Sequence, residues 1–303
     1  MILIPDNTTL RSFIPNSFSP RPDSQSLFDK ITPFLQSAEI WFKSEFIPEN
    51  LLLDIISEAQ RQDDPLYFLP RRIVAMRAWQ NAIPAIDIVV GNNGVGVVET
   101  ASLKPASKAK IDSLLLSVAS ELDRSIEMLL PMLPAVNGWI ESEQAGKFRA
   151  TLFPTFRILR RLGFDDDLWN RWLRISQRIR TIEDEIGEKW ISAPVLNHLR
   201  LLNMRILAGY KYLEIPDGGA DDESARVIVR NLISKVKSAV CIIIEDKSDR
   251  FDAWRMAKPY IEEANAIVRN NPAIFPEWED SPTARFFKTP AFRNRPGSAA
   301  FYF

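Results

Sequence analysis

The sequence predicts a mainly α protein built as two tandem helical-bundle domains, residues 1–140 and 147–303, with one β-hairpin at 86–99 in the first. Three observations lead there. Apolar residues recur at three- and four-residue steps through most of the chain, which is the spacing of one helix face. Two β-branched runs flank a single Asn/Gly turn signal. An entry segment occurs twice: Ile2-Leu3-Ile4-Pro5 followed by Leu10-Arg11-Ser12-Phe13 is echoed by Thr151-Leu152-Phe153-Pro154 followed by Leu159-Arg160-Arg161-Leu162. Each echo precedes a similar order of helices, so the two halves read as an internal duplication whose loops shorten in the second copy. At 303 residues the chain is long enough for two cores.

Residues 1–26, rich in Pro, Ser and Asn, read as an extended segment or loop over the first domain. A helix follows from Leu27, with Phe28, Ile31, Leu35, Ala38 and Phe42 on one face and Pro33 early, where a missing N–H is tolerated. A second helix is expected from about Pro65 to Ile83, closed by Ile83-Pro84. Ile86 to Val90 and Val95 to Glu99 then flank Gly91-Asn92-Asn93-Gly94, residues that accept the positive φ of a tight turn. A hairpin alone is marginal in water, so it must pack on helices or extend a sheet of another chain. Ser107 caps a third helix with Ile111, Leu115, Val118, Leu122, Ile126 and Leu129 in a stripe, ended by Pro131 and Pro134. The stretch from Pro131 to Gly146 is the candidate linker.

In the second half Asp165, Asp166 and Asp167 precede the clearest helix of the chain, with Leu168, Trp172, Ile175, Ile179, Ile182, Ile186 and Trp190 inward. Acidic residues there suit the positive end of the helix dipole and its free N–H groups, which explains the run better than a metal site does. Pro194 opens the next helix, lined by Val195, Leu199, Leu202, Ile206, Tyr210 and Leu213 and closed by Ile215-Pro216. The last predicted helix carries Val229, Leu232, Val236, Val240 and Ile243.

Composition bounds the chemistry. With 46% hydrophobic and 25% charged residues the chain is ordinary globular protein. A formal charge of -1 leaves no global field for DNA or an anionic membrane. The one cysteine, Cys241, lies in the apolar run Val240 to Ile244 and is expected to be a buried thiol. The one histidine, His198, rules out a His-based metal cluster and, sitting on a helix, reads as a surface or boundary residue. Gly91, Gly94 and Gly96 lack the spacing of a nucleotide-binding loop. No catalytic, cofactor or metal residues are expected. The first residues lack the pattern of a signal peptide, and no apolar run nears the roughly 20 residues of a membrane span, so a cytoplasmic protein without membrane contact is expected.

Two segments invite interaction. Arg171, Arg174 and Arg178 run along one side of the long helix, a ridge able to track phosphates, although a solvated or subunit-facing helix face explains it equally well. The stretch 285–303 combines four basic residues, six aromatics and no acid on a background broken by Pro and Gly. Aromatic and Arg side chains dominate interface hot spots, so this tail is expected to dock on a neighbouring subunit or partner, the alternative being that it folds back on its own domain.

The entry Leu10-Arg11-Ser12-Phe13-Ile14-Pro15, the helix opening Leu27-Phe28-Asp29-Lys30-Ile31-Thr32-Pro33, and the stretch Gly94 to Thr100 with Lys104 to Lys108 resemble a phage and prophage virion-associated family of Bacteroidetes. The last stretch also resembles the hairpin-to-helix joint of phage head–tail connector adaptors. The resemblance covers roughly the first 130 residues. It implies a non-enzymatic assembly protein of the virion neck, made in the bacterial cytoplasm, that contacts itself in a ring or other homo-oligomer and virion parts such as portal or tail components. Contact candidates are Val89, Val90, Val95 and Val97 of the hairpin and Phe286, Phe287, Phe292, Phe301 and Phe303 of the tail. The alternatives are nucleic-acid binding through the arginine ridge, without a favoured DNA contact, and a carboxylate enzyme requiring a cleft of converging acids.

Overall fold

The computed structural model describes residues 2–14, 27–58, 64–86, 88–91, 94–97, 107–209, 222–245 and 250–288. Within them the chain is mainly helical. It divides into two compact units, Met1–Ser176 with Met204–Gly209, and Gln177–Asn203 with Tyr210–Phe303.

In the first unit α1 (Asn7–Phe13), α2 (Leu27–Glu45), α3 (Glu49–Glu58), α4 (Pro65–Ile86) and α5 (Lys108–Leu129) precede the short α6 (Glu143–Arg149) and α7 (Arg157–Arg161) and the start of α8 (Leu168–Ile186). α4 is the central element, packed against both α2 and α5. Its sequence explains that position: Leu69 to Arg71, Ile73 to Met76 and Ala78 are all buried, a run without a polar stripe. Its Pro70 and Pro84 lie inside the helix, which runs on to Ile86 and is not closed by Ile83-Pro84. After it, β1 (Ile88–Gly91) pairs antiparallel with β2 (Gly94–Val97), Val90 opposite Val95. The predicted stripes face inward: Ile31, Leu35, Ala38 and Phe42 of α2, and Val118, Leu122, Ile126 and Leu129 of α5, are buried.

The entry segment does not read as a loop. Asp6 accepts the Thr9 N–H at 2.8 Å and caps α1, while Leu3 and Ile4 are buried. Glu39 of α2 fastens this segment, its carboxylate accepting the backbone N–H groups of Ile2 and Leu3 at 2.9 and 3.1 Å and facing Lys43 at 3.3 Å. Burial pushes the Glu39 carboxyl up, but the N–H groups of Ile2 and Leu3 and the Lys43 ammonium together hold it below its ordinary value of 4.5. A carboxyl lowered in the folded state stabilises above its unfolded pKa and loses that contribution as pH falls through the folded value. The urea midpoint of the chain is therefore expected to drop on acidification below about pH 4.5. Glu39→Gln should flatten that part of the profile; an unchanged acid dependence in the variant rules the linkage out.

The expected linker is part of this core. Trp139 and Ile140 are 1% and 4% exposed, and the Trp139 indole donates to the Phe46 carbonyl. Phe46 and Phe148 meet Trp169, and Phe148 stacks on Trp172 at 5.1 Å. A boundary at 140–147 would cut through this cluster, and the division falls inside α8 instead. Both echoed entry segments lie in the first unit, so the echo does not mark the start of a second one. The acidic run before α8 also has a different role. The N–H groups of Leu168 and Trp169 are taken by Asp123 of α5, whereas Asp165 and Asp166 pair with Arg160 and Arg171. Burial raises the Asp123 carboxyl despite those two donors.

The second unit holds the end of α8, a π turn at Gly187–Ile191, most of α9 (Ala193–Leu207), α10 (Asp222–Glu245), α11 (Arg250–Asn270) and α12 (Pro282–Lys288). α10 and α11 form its main packing pair. Val229, Leu232, Val236 and Val240 of α10 are buried, as are the small residues Ala253, Ala257 and Ala264 of α11. Cys241 is buried. Glu183, 0% exposed, accepts two bonds from Arg200 at 3.1 and 2.9 Å, and the same guanidinium reaches Asp184 at 2.9 Å. α9 ends at Leu207, short of the expected Ile215-Pro216, which lies outside the described residues.

Candidate functional site

The π turn and α12 build an exposed apolar feature of the second unit. Gly187 opens the turn because a Cβ there would stand 2.9 Å from the Leu196 side chain. The turn closes on Ser192, held at φ 72, whose hydroxyl accepts the Val195 N–H at 3.3 Å. α12 is then fixed against it by the Thr283 hydroxyl, which donates to the Glu188 carbonyl at 2.8 Å. Ser281 caps α12 by accepting the Ala284 N–H at 3.0 Å, and Lys288 pairs with Glu279.

This arrangement places Phe287 among Trp190, Trp278 and Phe286, with ring centroids 6.1, 6.1 and 5.5 Å away, and with the Arg269 guanidinium 5.8 Å from its ring. Phe286 stands edge-on to Phe287 and is 77% exposed. Between them runs a mostly apolar groove of about 580 Å³, lined by Glu188, Lys189, Trp190, Pro282, Phe286 and Phe287. The groove can take up an aromatic or aliphatic side chain.

The other candidates distribute differently. Phe292, Phe301 and Phe303 lie outside the described residues. Val89, Val90, Val95 and Val97 sit in the paired strands, opposite Gly96, Val95, Val90 and Ile88 respectively. Arg171 is tied to Asp166 by its Nε on the carbonyl and its Nη2 on the carboxylate, and lies 4.6 Å from the Phe164 ring. Arg174 and Arg178 are exposed on α8. His198 is a boundary residue whose Nδ1 lies 2.8 Å from Glu277. Among the described residues no three His, Cys, Asp or Glu side chains gather as a metal site would need, and no helix is long and apolar enough to cross a membrane.

Sequence reasoning missed Trp190 as a surface group, because its position continues the buried stripe of α8. The switch from α to π geometry at Gly187 rotates it out of that register, and the glycine is the only hint of it in the sequence.

Residues 21–149 match a family of unknown function, DUF6712. The matched segment runs from before α2 to the end of α6 and stops short of Trp169 and Trp172, which complete the aromatic core of the first unit. No curated protein matches the chain, and no solved structure does.

Proposed function

We propose that this chain is a non-enzymatic assembly subunit that works by fitting against other protein surfaces, first of all a second copy of itself. The observation that carries this reading is Phe286, 77% exposed at the mouth of an aromatic groove. Full burial of such a ring is worth about 1.5–3 kcal/mol, and aromatic residues with arginine dominate interface hot spots. The same helix leads into residues 289–303, which carry Phe292, Arg293, Arg295, Phe301 and Phe303, so one end of the chain offers both an apolar groove and an aromatic, basic segment. A contact between the tail of one copy and the groove of the next is head-to-tail, and closes into a ring when the rotation allows. Joined to the resemblance of the first 130 residues, the reading becomes a virion neck subunit that forms a ring and meets portal or tail components. The β-hairpin serves it as a second contact, able to extend a neighbour's sheet. The nucleic-acid reading draws less support, because Arg171 is already neutralised by Asp166.

Native mass spectrometry tests this on three chains: wild type, Phe286→Ser, and a truncation lacking 289–303 that leaves α12 intact. The wild type is expected to form oligomers, alone or on added neck components, and both variants to shift toward monomer with unchanged helical circular dichroism. Equal oligomer populations in all three would remove this end of the chain from the contact.

A further inference from the structure

The first unit contains a cleft that the assembly reading does not use. α1 and α4 pack together, and between them lies a cavity of about 300 Å³ lined by Thr8, Thr9, Ser12, Tyr67, Phe68 and Arg71. Rings wall one side, with Phe13 and Phe68 centroids 5.1 Å apart. Arg71 lines the cavity too, and the residue is only 6% exposed. Arginines are almost never buried to that degree unless paired. Arg71 donates through Nη1 to the Tyr67 carbonyl at 3.0 Å and its Cζ lies 3.5 Å from the centroid of the Tyr67 ring. No carboxylate of the described residues pairs with it.

Its neighbours on α4 are treated differently. Arg72 pairs with Glu121, and Arg77 donates to Gln80 at 3.2 Å while lying over Trp41. Arg71 has spent one nitrogen on a neutral carbonyl, which leaves the Nε–Nη2 edge, the pair of parallel donors that grips a carboxylate or phosphate, without an acceptor among the described residues. Burial lowers the pKa of this guanidinium, with Tyr67 opposing, as expected for a cation short of a counter-charge. The hydroxyls opposite have their protons committed: Thr9 donates to Asp6 at 3.0 Å and Ser12 to the Thr9 carbonyl at 2.7 Å. Both oxygens therefore retain lone pairs and can accept from a donor on a ligand.

From the buried, uncompensated guanidinium in a cleft with aromatic walls and hydroxyl acceptors, we infer that Arg71 is the anchor of a binding site for a small oxyanion, a carboxylate or phosphate group on a ligand that also carries a hydrogen-bond donor. The cavity is at the small end of ligand pockets, which excludes large cofactors and suits a compact molecule. The cation is held in place by the fold and the anion arrives with the ligand, so binding supplies the charge that the protein lacks.

Two probes separate the sources of the anion: inorganic phosphate and 4-hydroxybenzoate, each titrated against chloride at equal ionic strength. One or both are expected to raise the melting temperature of the wild-type chain and to move the amide resonances of Thr8 to Phe13 and Tyr67 to Arg71, a pattern that reports the site without any variant. Arg71→Met should weaken binding at least about tenfold, as expected for losing charge-assisted hydrogen bonds. Without anion it should melt no lower than wild type, because it removes an unpaired buried charge. Ser12→Ala should weaken 4-hydroxybenzoate, whose phenol loses an acceptor. Shifts confined to one probe assign the oxyanion as phosphate or carboxylate. No response of the wild-type cleft to either anion overturns the inference, and so does equal binding by Arg71→Met.

Discussion

Trp172→Ala is expected to lower the stability of the first unit by roughly 3–5 kcal/mol, the range for deleting a large buried aromatic. The ring is 0% exposed, stacks on Phe148 at 5.1 Å and on Trp169 at 5.7 Å, and its indole donates to the Phe153 carbonyl at 3.0 Å. Alanine thus removes packing against two rings and the indole's hydrogen bond to a buried residue, and these costs add to the cavity that rigid neighbours cannot close. Urea unfolding followed by circular dichroism at 222 nm avoids the fluorescence lost with the tryptophan. With two units present the curve needs a fit that allows two transitions, and the loss should fall on one of them. A change below about 1 kcal/mol, the size of an ordinary surface substitution effect, would mean that the aromatic cluster does not hold the unit together.

The second large effect concerns charge. Arg200→Met is expected to cost the second unit about 3–5 kcal/mol, the range for breaking a buried ion pair by removing one partner, because it takes away the guanidinium that gives a buried carboxylate two of its bonds. Glu183 is 0% exposed and takes two bonds from that guanidinium. The reverse change, Glu183→Leu, should cost less, since Arg200 keeps Asp184 at 2.9 Å. The double variant, Glu183→Leu with Arg200→Met, should recover much of the loss, because apolar groups of similar volume replace a buried ion pair at little net cost. A full double-mutant cycle measures this as a coupling between the two positions. Losses that simply add would show that each side chain acts through its own packing and not through the pair.

The contrast between these two sites also says what the sequence could reveal. Repetition of apolar residues made the helix faces legible: Ile179, Ile182 and Ile186 of α8, and Val229, Leu232, Val236 and Val240 of α10, are buried as their spacing requires. α11 left a weaker trace, since its buried face is mostly alanine, and alanine marks a close approach of helices without raising the hydrophobic periodicity. α1 was obscured by a Pro-, Ser- and Asn-rich setting, although Asp6 three residues before Thr9 is a recognisable cap. Long-range polar contacts left no trace at all. Asp123 lies on α5 in an amphipathic pattern and caps a helix 45 residues away, and Arg71 differs from Arg72 only in what the fold places beside it. Of the candidate surface, Phe286 and Phe287 were legible as an aromatic pair in a basic segment. Their groove was not, because it depends on a π turn that hydrophobic periodicity does not encode.

The Trp139 indole closes on the Phe46 carbonyl across 93 positions of sequence, and Trp169 reaches the same phenylalanine later still. A ribosome adds roughly 5–20 residues per second, so α2 leaves the exit tunnel about 5–20 s before the tryptophan that covers its end does. During that interval Phe46 faces water on a nascent chain, a condition that favours chaperone capture or clumping of neighbouring polysomes. Yield during synthesis is therefore set by how long that aromatic face waits, a quantity that slower or cooler growth alters while the finished fold stays the same.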